Sequence, residues 1–387
     1  MFVLRFVLFL TIVLLVVVGG HVYLYRRLFR DTTDDRRIRR VGAIALGVAA
    51  ASLFLARSVF ARVHTGWGDA LSIAAWSWMG IGLYLGMALA VFHLWTRVDG
   101  WRRARAGAPP VSPERRQFLA RAAVGGAGVI AAGFTTYGVR RAFAPPSIDE
   151  VPIRVPRLPR AFDGLRIVQV SDVHIGDVLG RPFLEDMVQR CNALKPDLVA
   201  VTGDLVDGTI EQLGPTISAL QKLRSRWGTY FITGNHEFYS GDVVWCAELE
   251  RMGLTVLRNR WVTLRDGAAR LDLVGVDDYG HRERPRGWNL DAAVAGRDPE
   301  AAAVLLAHQP QAVDEAMQKG IGLQLSGHTH GGQLFPITGL VTALWRYSAG
   351  LYRVGEGHVY VHRGTGFWGP PMRIGSPPEI AAITLTT

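Results

Sequence analysis

The feature that most constrains the fold is a series of four apolar stretches within the first 140 residues. A helix needs about 20 apolar residues to cross the hydrocarbon core of a bilayer, and each stretch approaches or exceeds that length. The stretches run over residues 2–24, 41–56, 70–96 and 118–138. We therefore predict a helical membrane region over 1–140, a linker over 141–160 and a separate domain over 161–387.

The distribution of charge supports a membrane orientation rather than nucleic-acid binding. Residues 1–150 contain 19 Lys and Arg against 8 Asp and Glu, whereas residues 151–387 contain 24 against 25. The formal net charge of +10 therefore belongs to the membrane region, and no basic face for DNA or RNA is expected. Arginine-rich loops at 26–40 and 96–117 favour the cytoplasmic side, while the loop between the second and third stretches is nearly neutral. If the fourth stretch spans, everything after about residue 140 lies outside the cytoplasm.

The start of the fourth stretch has two interpretations. Arg115 and Arg116, followed by Phe118, Leu119 and a mildly apolar run, resemble a twin-arginine export signal, which would make the twin-arginine machinery a partner. The alternative is an ordinary span with arginines on its cytoplasmic side. Both interpretations place the following domain outside the cytoplasm.

Strand-like and helix-like segments alternate from about Ala161 onwards. GLRIVQVSD, DLVAVTGD and GTYFITGNHE read as strands, and helix-period segments separate them. This alternation predicts an α/β fold with a largely parallel sheet. The later strand-like runs are separated by few helices, so we expect two sheets packed together between helices. Cys191 and Cys246 lack CxxC spacing and are predicted to be apolar core residues.

Five of the apolar runs end in polar side chains. These residues are Asp172 and His174; Asp204 and Asp207; Asn235, His236 and Glu237; His308; and His328 and His330. Ligands of α/β sheets bind outside the carboxyl ends of the strands. The side chains can therefore converge on one edge of the fold, although they are scattered along the chain.

The chemistry of these residues predicts a metal centre. Oxygen ligands from Asp and Asn with nitrogen from His, and no thiolate, suit Mn, Fe or Zn. Seven of these ten side chains would already be too many ligands for one tetrahedral ion, but they match two ions that share a carboxylate. Two ions can generate a bridging hydroxide that attacks phosphorus while both ions neutralise the phosphoryl oxygens. The sequence thus predicts a site for two divalent cations that could act on a phosphoryl group.

The pattern D-x-H, GD-x-x-D, GNH-[DE], single H and GH-x-H, over roughly 160–387, resembles the calcineurin-like metallophosphoesterase superfamily. The membrane region, GNHE and the tail RGTGFWGPPMRIGSPPEI resemble its membrane-anchored bacterial YkuE/YaeI-type branch. The resemblance implies a four-layer α/β/β/α sandwich with two mixed sheets. It also implies a multi-pass protein of the bacterial inner membrane, with its catalytic domain facing the periplasm or the exterior.

The resemblance further implies a role for each site residue. Seven side chains would bind two divalent metal ions: Asp172, His174 and His330 the first, Asn235, His308 and His328 the second, and Asp204 both. His236 would not bind metal but would protonate the leaving oxygen or stabilise the transition state, held by Asp207. Glu237 stands where many members carry Asp and receives no role.

Membrane anchoring favours a phosphoester substrate that is a lipid or is linked to one. One alternative is a UDP-diacylglucosamine-type pyrophosphatase of lipid A synthesis, but a domain outside the cytoplasm argues against it. Another is a non-catalytic binding module on the same fold. Such modules generally lose ligands, whereas all seven residue types stand here at the expected positions.

Overall fold

A computed structural model describes residues 2–58 and 66–387 of the chain. The loop at 59–65, which belongs to the nearly neutral connection predicted between the second and third spans, lies outside the described residues. The chain divides into two compact units, Met1–Val139 and Arg140–Thr387. The first unit is helical and the second contains both sheets.

Four long helices precede the sheets: α1 (Phe2–Tyr25), α2 (Arg36–Ser58), α3 (Gly66–Arg105) and α4 (Pro113–Ala142). By length and composition each is able to cross a membrane, which confirms the prediction of four apolar helices. Large aliphatic side chains cover their outer surface; Leu15, Val48 and Val129 are 67%, 64% and 75% exposed. Such a surface is unfavourable in water and suits lipid. The chain is therefore associated with a membrane.

The first sheet has the strand order β1-β12-β2-β3-β4-β5. Its strands are β1 (Ser147–Arg154), β2 (Arg166–Val170), β3 (Leu198–Val201), β4 (Thr229–Phe231), β5 (Thr255–Val256) and β12 (Glu379–Thr386). All neighbours are parallel except β12 and β2. The segment 141–160, which we expected to be a linker, therefore contributes an edge strand, and all eight residues of β1 pair with β12.

The second sheet has the order β10-β11-β9-β8-β7-β6. Its strands are β6 (Arg260–Asp266), β7 (Ala269–Gly275), β8 (Ala303–Leu306), β9 (Leu323–Ser326), β10 (Gly350–Val354) and β11 (Gly357–Val361). The central pairs are parallel, and both edge pairs are antiparallel hairpins. Hairpins need only short turns, whereas parallel neighbours need crossover connections.

The side chains of the strands alternate between two cores. Ile167 of β2 lies in the core shared with Leu273 of β7, between the sheets. Its neighbour Val168 points to the opposite face, in a core with Leu184 and Trp245 from helices. Successive strand residues face opposite sides of a sheet, so each sheet buries one face against the other sheet and one against helices.

Helices cover the outer faces of the sheets. The helices of the domain are α5 (Arg181–Ala193), α6 (Ile210–Ile217), α7 (Asn235–Ser240), α8 (Asp242–Arg251), α9 (Leu290–Val294), α10 (Val313–Gln318) and α11 (Ile337–Leu344). α5, α6 and α8 pack on the first sheet, whereas α9 and α10 pack on the second. The predicted α/β/β/α sandwich with two mixed sheets is therefore confirmed. Cys191 and Cys246 are buried and free, as predicted.

Candidate metal centre

The predicted site residues follow the carboxyl ends of four buried strands or begin a helix. They lie after β2 (Asp172, His174), after β3 (Asp204, Asp207), at the start of α7 (Asn235, His236, Glu237), after β8 (His308) and after β9 (His328, His330). The backbone N–H of His328 donates to both carboxylate oxygens of Asp172, at 3.0 Å each. The parallel arrangement of these strands thus brings together residues that are more than 150 positions apart.

Asp172, His174 and His330 form the first metal-binding group, with one ligand atom from each lying within 4.8 Å of the others. The Nε2 atoms of His174 and His330 are 3.1 Å apart. The same atom of His330 lies 3.4 Å from Oδ1 of Asp172. Two imidazole nitrogens that face each other at this distance require a proton or a cation between them, because lone pairs repel.

Asp204, His308 and His328 form the second metal-binding group, again with ligand atoms within 4.8 Å. Nδ1 of His308 donates to the carbonyl oxygen of Thr202 at 2.8 Å. This hydrogen bond directs the other ring nitrogen, Nε2, towards Oδ2 of Asp204 at 3.2 Å. A backbone acceptor on one nitrogen is the usual support for a histidine that binds metal through the other.

Two buried polar atoms of the site have no hydrogen-bond partner within the part of the chain that the structure describes. They are Oδ1 of Asn235 and Nε2 of His308, which lies 3.2 Å from Oδ2 of Asp204 but is not aligned for a hydrogen bond to it. Leaving a buried polar atom unpaired costs about 1–3 kcal/mol, and an ion is one explanation for such atoms. Both residues belong to the predicted second ligand set, so the donors present fit a divalent cation.

Asp204 belongs to the second group but also lies close to the first. Its Oδ2 is 3.8 Å from Nε2 of His174, 3.2 Å from Nε2 of His308 and 3.9 Å from Nε2 of His236. One carboxylate oxygen therefore approaches a ligand atom of each group.

Asp207 contacts two histidines. Its Oδ1 accepts from Nδ1 of His236, and its Oδ2 accepts from Nδ1 of His174 at 3.1 Å. The sequence predicted the first contact but not the second. Burial alone would raise the pKa of Asp207, but the neighbouring His236 and His174 outweigh it and hold the pKa well below its usual range. The carboxylate is therefore ionised and orients both rings, with each Nε2 left to face the site.

Five predicted ligands occupy left-handed backbone conformations. These are Asp172, His174, Asp204, His328 and His330, with φ values of 53°, 51°, 51°, 72° and 51°. Positive φ is uncommon outside glycine, although Asp and His tolerate it better than most residues. Strained residues of this kind cluster at functional sites, where the surrounding structure determines them. Here the sharp turn after each strand aims the side chain back across the sheet edge.

Gly203 shows how closely the loops approach. Its φ is +88°, and a Cβ at this position would lie 2.6 Å from the backbone nitrogen of Gly234 and 2.8 Å from Nδ1 of His308. No real side chain tolerates such contacts. Only glycine therefore allows the turn before Asp204 to pack against the turn before Asn235.

Burial and neighbouring charges shift the pKa values of two histidines of the site, His308 and His330, in opposite directions. Burial would lower the pKa of His308, but the carboxylates of Asp204 and Asp172 outweigh it and hold the pKa well above its usual value. Burial also lowers the pKa of His330 well below its usual value, and there it prevails over the attraction of Asp172. In the metal-free site a proton therefore favours His308.

Glu237 has a structural role that the sequence did not reveal. Its buried carboxylate accepts from the backbone N–H groups of Asp204, Leu205 and Gly234 at 2.9, 2.7 and 2.6 Å. Burial and the nearby charge of Asp204 raise the pKa of Glu237 to about 7. The side chain thus fastens the turn after β3 to the turn after β4. Its position next to His236 in GNHE was the available signal.

Arg373, from the Gly- and Pro-rich tail, was also missed. Its buried guanidinium donates to the carbonyl oxygens of Arg363 and His330, and its Nη2 lies 3.0 Å from Nδ1 of His330. Burial lowers the pKa of Arg373 to about 9. Because a guanidinium can only donate, Nδ1 of His330 accepts, and the proton of the neutral ring lies on Nε2, facing His174.

Comparison with known proteins agrees with this geometry. Residues 165–332 match the calcineurin-like phosphoesterase family. A transmembrane protein with metallophosphoesterase domain from Danio rerio is 35% identical over 401 residues, covering 98% of this chain and 89% of that protein. The metallophosphoesterase YkuE of Bacillus subtilis is 34% identical over 288 residues, covering 70% of this chain and 97% of YkuE.

Among solved structures, a dimetal phosphatase from Danio rerio aligns with a TM-score of 0.36 and 13% identity, over 52% of this chain and 88% of the phosphatase. The match to the family and the two relatives, together with the Asp and His groups at the strand ends, identifies the chain. It belongs to the calcineurin-like metallophosphoesterase family and is a phosphoric ester hydrolase that uses divalent metal.

Proposed function

We propose that this membrane-associated hydrolase uses two divalent cations, Mn, Fe or Zn, to cleave a phosphate ester of a lipid or a lipid-linked molecule. The observation that carries the two-cation proposal is that two of the three candidate metal-binding groups among the described residues, Asp172–His174–His330 and Asp204–His308–His328, approach each other at Asp204. The unpaired Asn235 Oδ1 and His308 Nε2 support it further, because a second cation would satisfy both atoms.

We assign seven side chains to the two cations. The first cation would be bound by Asp172, His174 and His330, the second by Asn235, His308 and His328, and both by Asp204. When bound, two such ions supply Lewis acidity and an activated water. The chain itself supplies the geometry, since strained turns and the carboxylate of Glu237 fix these groups before any ion arrives.

His236 is proposed to donate the proton that the leaving oxygen needs. Its Nε2 lies 3.9 Å from Oδ2 of Asp204, at the boundary of both groups. Its Nδ1 donates to Asp207, whose lowered pKa keeps that carboxylate negative. A negative partner on one nitrogen stabilises the protonated ring that must act as general acid.

Aromatic residues around the site support a substrate with an apolar part. The ring of His236 lies 5.4 Å from Tyr239 and 6.0 Å from Trp368. The ring of His328 lies 5.7 Å from Trp345. Apolar walls around a few polar groups are typical of small-molecule sites. Together with the membrane helices they favour a lipid phosphoester over a free sugar phosphate.

We further propose that the protein resides in a bacterial inner membrane, with this domain outside the cytoplasm. The arginine-rich loops at 26–40 and 96–117 support that orientation under the positive-inside rule. The paired Arg115 and Arg116 support export by the twin-arginine machinery. A periplasm-dependent reporter fused after residue 387 tests the orientation, and an inactive fusion at normal expression would contradict it.

The test of the activity uses the full chain purified in detergent. Hydrolysis of lipid and water-soluble phosphoesters, both monoesters and diesters, is compared after loading with Mn, Fe or Zn, and bound metal is counted by mass spectrometry. We expect two ions per chain and metal-dependent turnover. His328→Ala should abolish turnover, whereas His358→Ala, a partly exposed histidine at the start of β11, should not. Unchanged turnover in His328→Ala would refute the assigned site.

A further inference from the structure

Helix α11 presents an apolar surface that the phosphoesterase chemistry does not use. The helix contains no charged residue, and none of its residues is buried. Ile337, Leu340 and Leu344 are 39%, 57% and 73% exposed. Their spacing of three and four residues places them on one face of the helix. We call these three residues, with Trp345 directly after the helix, the apolar ridge.

The apolar ridge is fixed to the metal centre. A Cβ on Gly332 would lie 2.6 Å from the Cα of Thr338, so the backbone of α11 packs directly on the loop that carries His328 and His330. The ring of Trp345 lies 5.7 Å from that of His328. Because the helix and the metal loop form one continuous packed segment, whatever binds the ridge lies beside the metal-binding groups.

We propose that the apolar ridge inserts into the surface of the lipid bilayer that the helices of this chain occupy. A bilayer is already a partner of the protein, since four helices are able to cross one. Only residues 143–146 lie between the end of α4, which is able to cross a bilayer, and the start of β1.

The composition of the ridge fits a bilayer surface. Shallow insertion needs an apolar helix face without buried charge, flanked by residues that tolerate the interface. Tryptophan is enriched at the level of the headgroups, and Trp345 lies at the end of the helix. Exposed Arg346 follows it and pairs with Asp314 at 2.6 Å. A long arginine side chain can keep its charge in water while its neighbours enter the apolar layer.

Such docking would bring the metal centre to the level of lipid headgroups. A phosphoester in the headgroup could then reach the metal-binding groups while its acyl chains stay in the bilayer. This consequence rests on the proposed function, whereas the docking itself does not. The two can therefore be tested separately.

Docking is tested by lipid quenching of a label on the ridge. Leu340→Cys is prepared in the full chain, where the native Cys191 and Cys246 are buried, and is labelled with an environment-sensitive fluorophore. The protein is reconstituted into vesicles of phosphatidylcholine and phosphatidylglycerol with brominated acyl chains. We expect a loss of emission relative to unbrominated vesicles. The matched control is Ala268→Cys, an exposed position in the turn before β7, at the opposite end of that strand from the site.

Two outcomes would overturn the proposal. One is equal quenching at positions 340 and 268. The other is a label at 340 that is shielded from aqueous iodide but not quenched by brominated lipid, which would show that a protein or a second copy of the chain covers the ridge.

The consequence for catalysis is tested with the double variant Leu340→Ser and Leu344→Ser. We expect it to lose turnover of a phosphoester embedded in vesicles while it retains turnover of a water-soluble phosphoester in detergent. An equal loss on both substrates would show a merely structural role and would contradict the link to catalysis. If the unaltered protein cleaved neither ester, the proposed function would fail, but the quenching experiment would still decide the docking.

Discussion

The two metal-binding groups differ in how the buried polar atoms of their side chains are paired. In the first, a proton on His330 can bridge to His174 across 3.1 Å, and the outer nitrogens of both rings are satisfied by Arg373 and Asp207. In the second, the outer nitrogen of His308 is satisfied by a carbonyl, whereas its inner nitrogen faces Oδ2 of Asp204 at 3.2 Å without a well-aligned hydrogen bond. Oδ1 of Asn235, which we assign to the same group, is a further buried atom without a hydrogen-bond partner among the described residues.

This difference indicates which of the two groups would gain more from binding a cation. A mutual hydrogen bond can complete the first group, so its geometry alone would be compatible with a buried polar network. The second group retains unpaired buried atoms, which proteins avoid. The raised pKa of His308 shows the alternative to a cation, since a proton on that ring partly offsets the negative charge of Asp204. A proton and the proposed second cation would therefore compete for the ring nitrogen of His308.

The largest effect is expected for Asp204→Asn, because its Oδ2 approaches both groups. Removing the negative charge that both cations share should lower kcat by at least about 10³-fold, the scale of losing a main electrostatic contribution to a transition state. Turnover of a soluble phosphoester and metal content are measured together. Glu356→Gln, an exposed carboxylate in the β10–β11 turn, is the control. Retention of both ions and of turnover would show that the groups do not share Asp204.

A smaller effect is expected for His236→Ala. The change removes the proposed proton donor but none of the seven proposed ligands, so kcat should fall by about 10²-fold, the lower end of the usual range for general acid–base catalysis. Both ions should remain bound. The loss should be smallest for substrates whose leaving group needs no proton, such as a nitrophenolate. If His236→Ala released a metal ion, its role as a non-ligand would be wrong.

The two groups should differ in affinity by roughly tenfold, the equivalent of about 1.4 kcal/mol, because filling the second group relieves its unpaired atoms. Titration of the metal-free protein with Mn at pH 8, followed by calorimetry, should resolve a tighter and a weaker ion. His308→Ala should remove the tighter ion and His330→Ala the weaker. If His330→Ala instead removed the tighter ion, the hydrogen bond between His174 and His330 would not lower the cation affinity of the first group.

The smallest effect is the dependence of metal affinity on pH. The pKa of His308 is raised by Asp204, so its ring binds a proton more tightly than a free imidazole does. A metal ion must displace that proton, and the apparent affinity of the second group should fall as pH falls through the raised pKa, by up to about tenfold per pH unit for one displaced proton. Mn titrations at several pH values measure this slope. The His308→Ala variant should lose it.

The positions of the site residues were accessible from sequence because two patterns coincide. Short apolar runs predict buried strands, and Asp172, Asp204 and His328 each follow such a run within two to three residues. Parallel strands share one carboxyl edge, so residues that follow them must lie close in space. The four apolar helices and the two-sheet sandwich were accessible for the same reason, since apolar periodicity determines both.

Other features were not accessible, because long-range packing determines them. Glu237 accepts hydrogen bonds from four backbone N–H groups on turns that only the folded sheet brings together. Arg373 reaches His330 from a tail more than 40 positions away. β1 lies in the segment that was expected to be a linker, and its pairing depends on β12 at the far end of the chain.

The left-handed backbone of five proposed ligands limits which residues can replace them. Asp, Asn and His are among the few side chains that both coordinate metal and adopt positive φ readily. Exchanging such a ligand for glutamate or cysteine would meet a conformational cost of about 1–2 kcal/mol in addition to any misfit in length. Redesign of the metal preference is therefore more favourable at Asn235 or His308, whose backbones are not in that region. The two groups therefore differ in how readily their ligands can be exchanged.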